Sequence, residues 1–285
     1  MAVGGDVSRS TDWPHQPAGA ELHLPPDIDL TKASIARVYD YVLGGKNNFP
    51  VDRAAAESFF KVVPEARQLA FDNRNVLRRA VRYLVAEAGI RQIIDIGSGL
   101  PTAGNVHEIA HEVQPDVRVV YVDKDPMVLS HGRALLADND TTTMITADLL
   151  RPETIFDDAT TRSYIDQSKP FAVLTAAVLH HVSDEQDPVG VAARVRDRLL
   201  SGCYLLVTNF LNDGDPRAPL LERAFLEGGL GTGRFRTFEE QLPFLAGLEL
   251  VEPGFVHAND WRPDEKTLTD SPVHNLLAAG LGRKP

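Results

Sequence analysis

Gln92-Ile93-Ile94-Asp95-Ile96-Gly97-Ser98-Gly99-Leu100-Pro101-Thr102 is the stretch of this sequence that decides the fold. Its isoleucines form a short apolar run that predicts a buried β-strand, and a helix is predicted at residues 103–113. The glycines between them permit a sharp turn and let a ligand approach the backbone closely. The free N–H groups at the start of the helix would favour a polar or anionic ligand. The stretch therefore predicts a strand, a ligand-binding turn and a helix in succession.

Strands and helices alternate through the rest of the chain. Further strands are predicted at residues 118–122, 141–147, 171–178 and 203–209, and further helices at residues 126–137, 188–200 and 238–246. Such alternation predicts a mostly parallel sheet that is covered by helices on both faces. Two late apolar segments, at residues 248–256 and 273–281, are expected to pair as an antiparallel hairpin at the edge of the sheet. The predicted class is thus α/β, a doubly wound sheet with an antiparallel edge strand.

The N-terminal part of the chain has a different character. Residues 1–27 are rich in Gly, Pro, Ser and Asp and predict a disordered tail. Helices are predicted at residues 35–42, 52–62 and 65–88, each with an apolar stripe. Because residues 28–89 are too few for a separate core, we expect them to form a helical cap on a main domain at residues 90–285.

Composition narrows the classes of function. The formal net charge of -11 makes nucleic acid an improbable partner, because binding phosphates requires a basic surface. Cys203 is the only cysteine, so neither an internal disulfide nor a multi-cysteine zinc site can form. His107, Glu108 and His111 have the spacing of helical metal ligands, but no further ligand is evident and no metal site is expected. Without a long apolar run or a secretory signal, the sequence predicts a cytoplasmic protein with no membrane partner.

Carboxylates accompany the ends of three predicted strands. Asp95 lies two residues before the first glycine of the turn, whereas Thr102 replaces the third glycine that a dinucleotide-binding turn requires. Asp123 ends the second strand, where a carboxylate can accept both ribose hydroxyls of an adenosine. Asp125 competes for that role, but we assign it to the cap of the next helix. Asp148 ends the third strand, where it could accept the adenine amino group.

These motifs resemble those of the class I, Rossmann-like S-adenosylmethionine-dependent methyltransferases. The segment Ser34-Ile35-Ala36-Arg37-Val38-Tyr39-Asp40-Tyr41-Val42-Leu43-Gly44-Gly45-Lys46-Asn47-Asn48-Phe49 is similar to the signature of a bacterial S-adenosyl methyltransferase family that was formerly classed as a domain of unknown function. The resemblance spans about residues 30–283, and the family usually has Asp at the position of Asn47. It implies S-adenosyl-L-methionine as the cofactor. The expected cofactor-binding residues are Asp95, Gly97, Ser98, Gly99, Leu100, Asp123, Lys124, Asp148, Leu149, Ala176 and Arg74.

Arg74 is the candidate partner for the methionine carboxylate, because a guanidinium can bind a carboxylate with two parallel hydrogen bonds. The methyl acceptor is expected near the end of the fourth strand, where Leu179-His180-His181-Val182 resembles small-molecule methyltransferases. His180 and His181 are the candidate catalytic residues, since an imidazole can remove a proton near neutral pH. A lid over the site is expected from the first helix and the loop after it, at Tyr41, Gly45, Lys46, Asn47 and Asn48.

Three functions are compatible with these residues. The leading one is methyl transfer to a small-molecule acceptor that the residues do not identify. The second is a regulatory protein that binds S-adenosylmethionine or S-adenosylhomocysteine without transferring the methyl group. The third is an NAD-dependent oxidoreductase, which the missing third glycine disfavours. The oligomeric state is left open.

Overall fold

The computed structural model describes residues 28–101, 104–136 and 139–285, so the predicted tail at residues 1–27 lies outside the described residues. In the described part of the chain, eight strands form one sheet in the order β3-β2-β1-β4-β5-β8-β6, with β7 also paired to β8. The strands are β1 Gln92–Ile96, β2 Arg118–Asp123, β3 Thr142–Thr146, β4 Ala172–Ala176, β5 Tyr204–Phe210, β6 Glu249–Leu250, β7 Val256–His257 and β8 Leu277–Arg283.

The first five strands are parallel to one another, and all the pairings that involve β8 are antiparallel. Ile96 at the end of β1 lies beside Val122 of β2, so the carboxyl ends of neighbouring strands meet at one edge of the sheet. β8 runs antiparallel to β5, and both β6 and β7 run antiparallel to β8. This arrangement confirms the predicted α/β class with an antiparallel edge.

Helices pack on the two faces of the sheet and beyond its carboxyl edge. The described α-helices are α1 Ile35–Val42, α2 Pro50–Val62, α3 Arg67–Ala86, α4 Val106–His111, α5 Pro126–Leu135, α6 Pro152–Phe156, α7 Ala159–Tyr164, α8 Pro188–Arg196, α9 Ala218–Glu227 and α10 Phe238–Gln241. The buried strand β1 shows how both faces are covered, because successive side chains point to opposite faces. Ile93 belongs to one hydrophobic cluster, which includes residues of α1, α2 and α3, and Ile94 belongs to the other.

The N-terminal helices therefore share their core with the sheet. Phe59 of α2 and Leu69 of α3 lie in the same buried cluster as Ile93. A buried ion pair joins the starts of α1 and α2, since Arg37 Nε donates to Asp52 Oδ2 at 2.9 Å. Continuous packing supports a cap that depends on the sheet, although the boundary at residues 89–90 stays a prediction.

Several predicted elements have different bounds in the structure. Most of the apolar segment at residues 248–256 is not strand. Only Glu249–Leu250 and Val256 pair with β8, and the residues between them form a turn. The fourth strand ends at Ala176, since Ala177 adopts a positive φ of 58° that breaks the extended backbone. The helices α6, α7 and α9 were not predicted; α6 and α7 are only five and six residues long, too short for a clear apolar stripe.

Candidate functional site

A cavity of about 680 Å³ opens at the carboxyl ends of the parallel strands. Part of its wall is the turn after β1 together with the ends of β2, β3 and β4. The opposite part comes from α1, α2, α3 and α9. The cavity thus lies between the sheet and the N-terminal helices, as is usual for ligand sites in open parallel sheets.

The glycine turn presents its backbone to this cavity. Gly97 and Gly99 both have a positive φ, 71° and 68°, which other residues adopt only at a cost. A Cβ on Gly97 would lie 2.5 Å from Val178 Cγ2, whereas a Cβ on Gly99 would meet no atom within 4 Å. Ser98 also lines the cavity, and its buried hydroxyl has no hydrogen-bond partner among the described residues. Leu100 is buried and is not part of the cavity wall.

Asp123 and Asp125 have separate roles in the structure. The Asp123 carboxylate accepts hydrogen bonds from the backbone N–H groups of Gly99 and Asp125, both at 2.9 Å, and burial raises its pKa. Asp125 accepts from the backbone N–H of Met127 at 2.8 Å, which confirms its predicted role as the cap of α5. Asp125 also receives a hydrogen bond from the Ser34 hydroxyl and so connects α5 to the start of α1.

Asp95 is buried beside Asp123 and near the Arg74 guanidinium. Burial raises the pKa of Asp95 to about 7, the charge of Arg74 opposes this shift, and the charge of Asp123 adds to it. Both Asp95 and Arg74 line the cavity. The site therefore contains a carboxyl group that changes its charge near neutral pH.

The ends of β3 and β4 complete this side of the wall. Asp148 Oδ1 accepts from the backbone N–H of Leu150 at 3.0 Å, and Lys124 Nζ lies 3.9 Å from Asp148 Oδ2. Leu149 is buried beside them, and Ala176 is the last residue of β4. All of these residues line the cavity, so the structure brings together every expected cofactor-binding residue except Leu100.

The two histidines differ in their surroundings. His180 is buried, stacks on Phe210 with a centroid distance of 4.4 Å, and places Nδ1 3.3 Å from Asn209 Oδ1. His181 is partly exposed, and its Nδ1 lies 2.9 Å from Thr232 Oγ1. Desolvation by the surrounding cavity wall, with a smaller contribution from the charge of Lys124, lowers the pKa of His181 to about 3. Both rings line the cavity and are neutral at pH 7.

The residues expected in a lid lie elsewhere. None of Tyr41, Gly45, Lys46, Asn47 and Asn48 is among the described residues that line the cavity. The loop instead encloses the buried Asp40 carboxylate, which accepts from the Asn47 backbone N–H at 2.8 Å and from Asn48 Nδ2 at 2.9 Å. Tyr41 donates its hydroxyl proton to Glu57 at 2.6 Å, and Lys46 is exposed.

Sequence reasoning missed part of the wall. Tyr39 and Asn73 both line the cavity, and Asn73 Nδ2 donates to the Tyr39 hydroxyl at 3.1 Å. Asn73 Oδ1 in turn accepts from Thr208 Oγ1 of β5 at 2.5 Å, which connects the helices to the sheet. Leu221 and Phe225 come from α9, a helix that the pattern did not predict. Tyr39 is part of the apolar stripe of the first predicted helix. Its hydroxyl is the one feature of the sequence that could have indicated a place in a ligand site.

The described part of the chain contains neither a candidate metal site nor a candidate membrane span. No group of three or more His, Cys, Asp or Glu side chains among residues 28–101, 104–136 and 139–285 is arranged to hold a metal ion. No helix within these same residues is long and apolar enough to cross a membrane.

Comparison with known structures identifies two similar proteins. A Thermobifida fusca YX protein that is provisionally named a methyltransferase is 48% identical, with a TM-score of 0.87 over 93% of this chain and 99% of that chain. A DUF574 family protein from Streptomyces avermitilis MA-4680 is 38% identical, with a TM-score of 0.84 over 90% of this chain and 99% of that chain. Mitomycin 7-O-methyltransferase shares the fold at 16% identity, with a TM-score of 0.50 over 88% of this chain and 73% of that chain.

The comparison with curated proteins found no match to the chain. The family model described as S-adenosyl methyltransferase matches residues 21–285, nearly the whole sequence. This match and the two similar structures confirm the resemblance inferred from the sequence and favour neither the regulatory nor the nicotinamide alternative. The chain therefore belongs to the S-adenosyl methyltransferase family and is a methyltransferase whose cofactor is S-adenosylmethionine.

Proposed function

We propose that this enzyme methylates a small molecule that it encloses between the sheet and the N-terminal helices. One observation carries the proposal: a single cavity joins the glycine turn and strand-end carboxylates to side chains of α1, α2, α3 and α9. Its volume of about 680 Å³ is well above the lower limit of roughly 300 Å³ for ligand pockets, so a cofactor and a second small molecule can share it.

The sheet side of the cavity suits S-adenosylmethionine. No atom lies within 4 Å of a Cβ placed on Gly99, so there is room for the ligand beside the turn. The Ser98 hydroxyl, which has no partner among the described residues, can form a hydrogen bond with the ligand there. We assign the ribose hydroxyls to Asp123, which retains acceptor capacity beyond its two backbone hydrogen bonds. Asp148 and Leu149 would hold the adenine, and Arg74 would hold the methionine carboxylate.

The charge of this wall also fits the cofactor. When bound, S-adenosylmethionine would supply a methyl group on a positively charged sulfur. A lone pair of the acceptor would form the new bond to the methyl carbon, the carbon–sulfur electron pair would stay on sulfur, and the proton of the acceptor would pass to solvent water. Asp95 and Asp123 lie close enough to affect each other's ionisation and favour a cation nearby. Because the donor is already activated, the protein's main task is to align the acceptor and exclude competing water.

His181 is the better placed of the two candidate histidines. His180 is almost fully buried and its ring is held by Phe210 and Asn209. His181 lies at the cavity surface near Lys124 and is neutral at pH 7. With so low a pKa it is a weak base, and we propose that it accepts a hydrogen bond from the acceptor and thereby positions it.

A labelling experiment tests the acceptor class. Tritium-labelled S-adenosylmethionine is incubated with the enzyme and a bacterial extract, and the products are separated by size. We expect label in the small-molecule fraction. Label that is found only in protein or nucleic acid would contradict the proposal.

Matched glycine variants show whether the cavity performs the transfer. Gly99→Val places a branched side chain in the open space beside the turn, and we expect it to abolish labelling. Gly247 also has a positive φ, 76°, and a Cβ there would meet no atom within 4 Å, but Gly247 is not part of the cavity wall. Gly247→Val therefore carries the same backbone strain and should retain labelling. Equal activity of the two variants would show that the turn is not the cofactor site.

A further inference from the structure

The wall of the cavity has two chemically distinct ends. Around the strand ends, α3 and the start of α1 it carries charged side chains, which are Asp29, Lys32, Arg37, Arg74, Asp95, Asp123, Lys124, Asp125 and Asp148. The described lining residues from α2, α9 and the segment after α9 carry no charge; they are Phe59, Phe60, Leu221, Phe225, Leu230 and Thr232. We refer to these six residues as the aromatic end.

Both ends line one cavity, and ring contacts lead from the aromatic end to His181. Phe59 stacks on Phe225 with a centroid distance of 4.2 Å, and Phe225 lies 6.2 Å from the nearly parallel ring of His181. The charge of Lys124 contributes to the lowered pKa of His181, and Lys124 pairs with Asp148 at the strand ends. His181 therefore marks the junction between the charged end and the aromatic end.

The hydrogen-bonding groups next to the aromatic end are neutral, whereas the lining cations Lys124 and Arg74 lie near Asp148 and Asp95. His181 and Thr232 hydrogen-bond each other at 2.9 Å, and the Tyr39 hydroxyl and the Asn73 amide lie on the α1 and α3 side of the same cavity. Such groups can orient a hydroxyl or an amine, but they cannot neutralise a carboxylate or an ammonium ion. None of the six residues of the aromatic end is charged, so a charged group buried among them would be desolvated without a partner of opposite charge in the subsite, which is costly.

From this division we infer that the aromatic end is the acceptor subsite and that it takes an uncharged small molecule with an aromatic ring system. Stacking on the Phe59 and Phe225 rings would hold the ring system, with its nucleophilic group directed toward His181. The inference rests on the proposed function, because it assigns the charged end to the cofactor.

Two probes with the same ring system, one neutral and one anionic, test the subsite. 1-Naphthol is an uncharged fluorescent hydroxyarene at pH 7, and 1-naphthoate has the same ring system with a carboxylate. Each is titrated into the full-length enzyme, with and without S-adenosylhomocysteine, and followed by fluorescence. We expect 1-naphthol to bind and 1-naphthoate to bind roughly 100-fold more weakly, because burial of an unpaired charge is disfavoured. Equal affinities, or no binding of 1-naphthol, would overturn the proposal.

Variants locate the bound probe. Phe60→Ala should weaken 1-naphthol binding about tenfold by removing an aromatic contact, and Leu230→Trp should block it by filling the space. Phe238 is half-buried like Phe60 but is outside the described cavity wall, so Phe238→Ala should leave the probe affinity unchanged. If Phe60→Ala and Leu230→Trp bind 1-naphthol as tightly as the unaltered enzyme, the probe is elsewhere and the proposal fails.

Calorimetry with S-adenosylhomocysteine separates this result from the proposed function. We expect the Phe60→Ala and Leu230→Trp variants to keep their S-adenosylhomocysteine affinity within about twofold, since both residues belong to the aromatic end and not to the charged end. If the unaltered enzyme failed to bind S-adenosylhomocysteine, the proposed function would be wrong. The probe affinities and the variants would still decide whether the aromatic end accepts uncharged rings.

Discussion

The turn at Gly97-Ser98-Gly99 and the loop at Gly44-Gly45-Lys46 each follow an apolar element and carry two glycines, yet the glycines meet different surroundings. A Cβ on Gly99 would point into open space at the cavity. A Cβ on Gly45 would lie 2.1 Å from Asp40 Oδ1, because the loop closes tightly around that carboxylate. One glycine leaves space beside a ligand site, whereas the other lets the backbone approach a side chain of its own chain. Similar glycine patterns can therefore serve different structural roles.

The largest expected effect concerns stability at the Gly44-Gly45 loop. Gly45→Ala should lower the free energy of unfolding by about 3 kcal/mol, because the added methyl group overlaps the Asp40 carboxylate in a packed region. Gly44→Ala is the matched control, since its Cβ meets no atom and only the positive φ of 84° is penalised, at about 1 kcal/mol. Chemical denaturation measures both. Equal losses would show that the loop does not pack around Asp40 as described.

A substitution at the strand end tests the other region. Asp123→Ala should weaken S-adenosylhomocysteine binding by about 1.5–3 kcal/mol, the range for hydrogen bonds to a charged group. Asp125→Ala removes the cap of α5 and should cost about 1 kcal/mol of stability with little loss of affinity. Calorimetric titration and denaturation of both variants distinguish the two roles. A larger affinity loss in Asp125→Ala would move the ribose contact to that residue.

A pH series sharpens the electrostatic side of the comparison. The pKa of Asp95 rises from 3.8 to about 7 on folding, so between these values the folded protein binds a proton that the unfolded chain has released. The stability that Asp95 contributes is therefore present at low pH and is lost as the pH rises through about 7. The lowered pKa of His181 acts in the opposite sense, because its contribution is lost as the pH falls below about 6.5.

The Asp95→Asn variant isolates the carboxyl group from His181. Its amide cannot ionise, so we expect the unaltered protein to lose stability relative to Asp95→Asn as the pH rises from about 4 to about 7. Denaturant unfolding at several pH values gives this difference directly. Parallel pH profiles for the two proteins would show that Asp95 is not buried in the folded state.

The smallest effect is expected at Lys46, which the sequence places in a lid. Because its side chain is exposed and is not part of the described cavity wall, Lys46→Ala should change S-adenosylhomocysteine affinity by less than about twofold. The same titration on Arg74→Ala provides the contrast, since Arg74 lines the cavity near Asp95. A marked loss of affinity in Lys46→Ala would show that the loop moves over the cofactor when it binds.

The five parallel strands, the glycine turn and the carboxylates at the strand ends can be predicted from the sequence. Apolar runs that end in glycine or aspartate identify buried parallel strands, and the carboxyl ends of parallel strands meet at one edge. Asp95, Asp123 and Asp148 could therefore be brought together from the order of the strands alone, and the structure places all three in one cavity wall. Local chemistry was also sufficient to assign the helix cap to Asp125.

The surface that each loop and helix packs against is seen only in the tertiary structure. Residues 44–49 are polar and glycine-rich, a pattern compatible both with a lid and with a loop around Asp40, and the pattern does not report the hydrogen bonds that Asn47 and Asn48 donate to Asp40. Phe59 and Phe225 are distant in sequence, and they meet because α2 packs against α9. Contacts of this kind depend on which apolar stripes bury each other, and periodicity within one segment reports that a stripe exists but not which partner covers it.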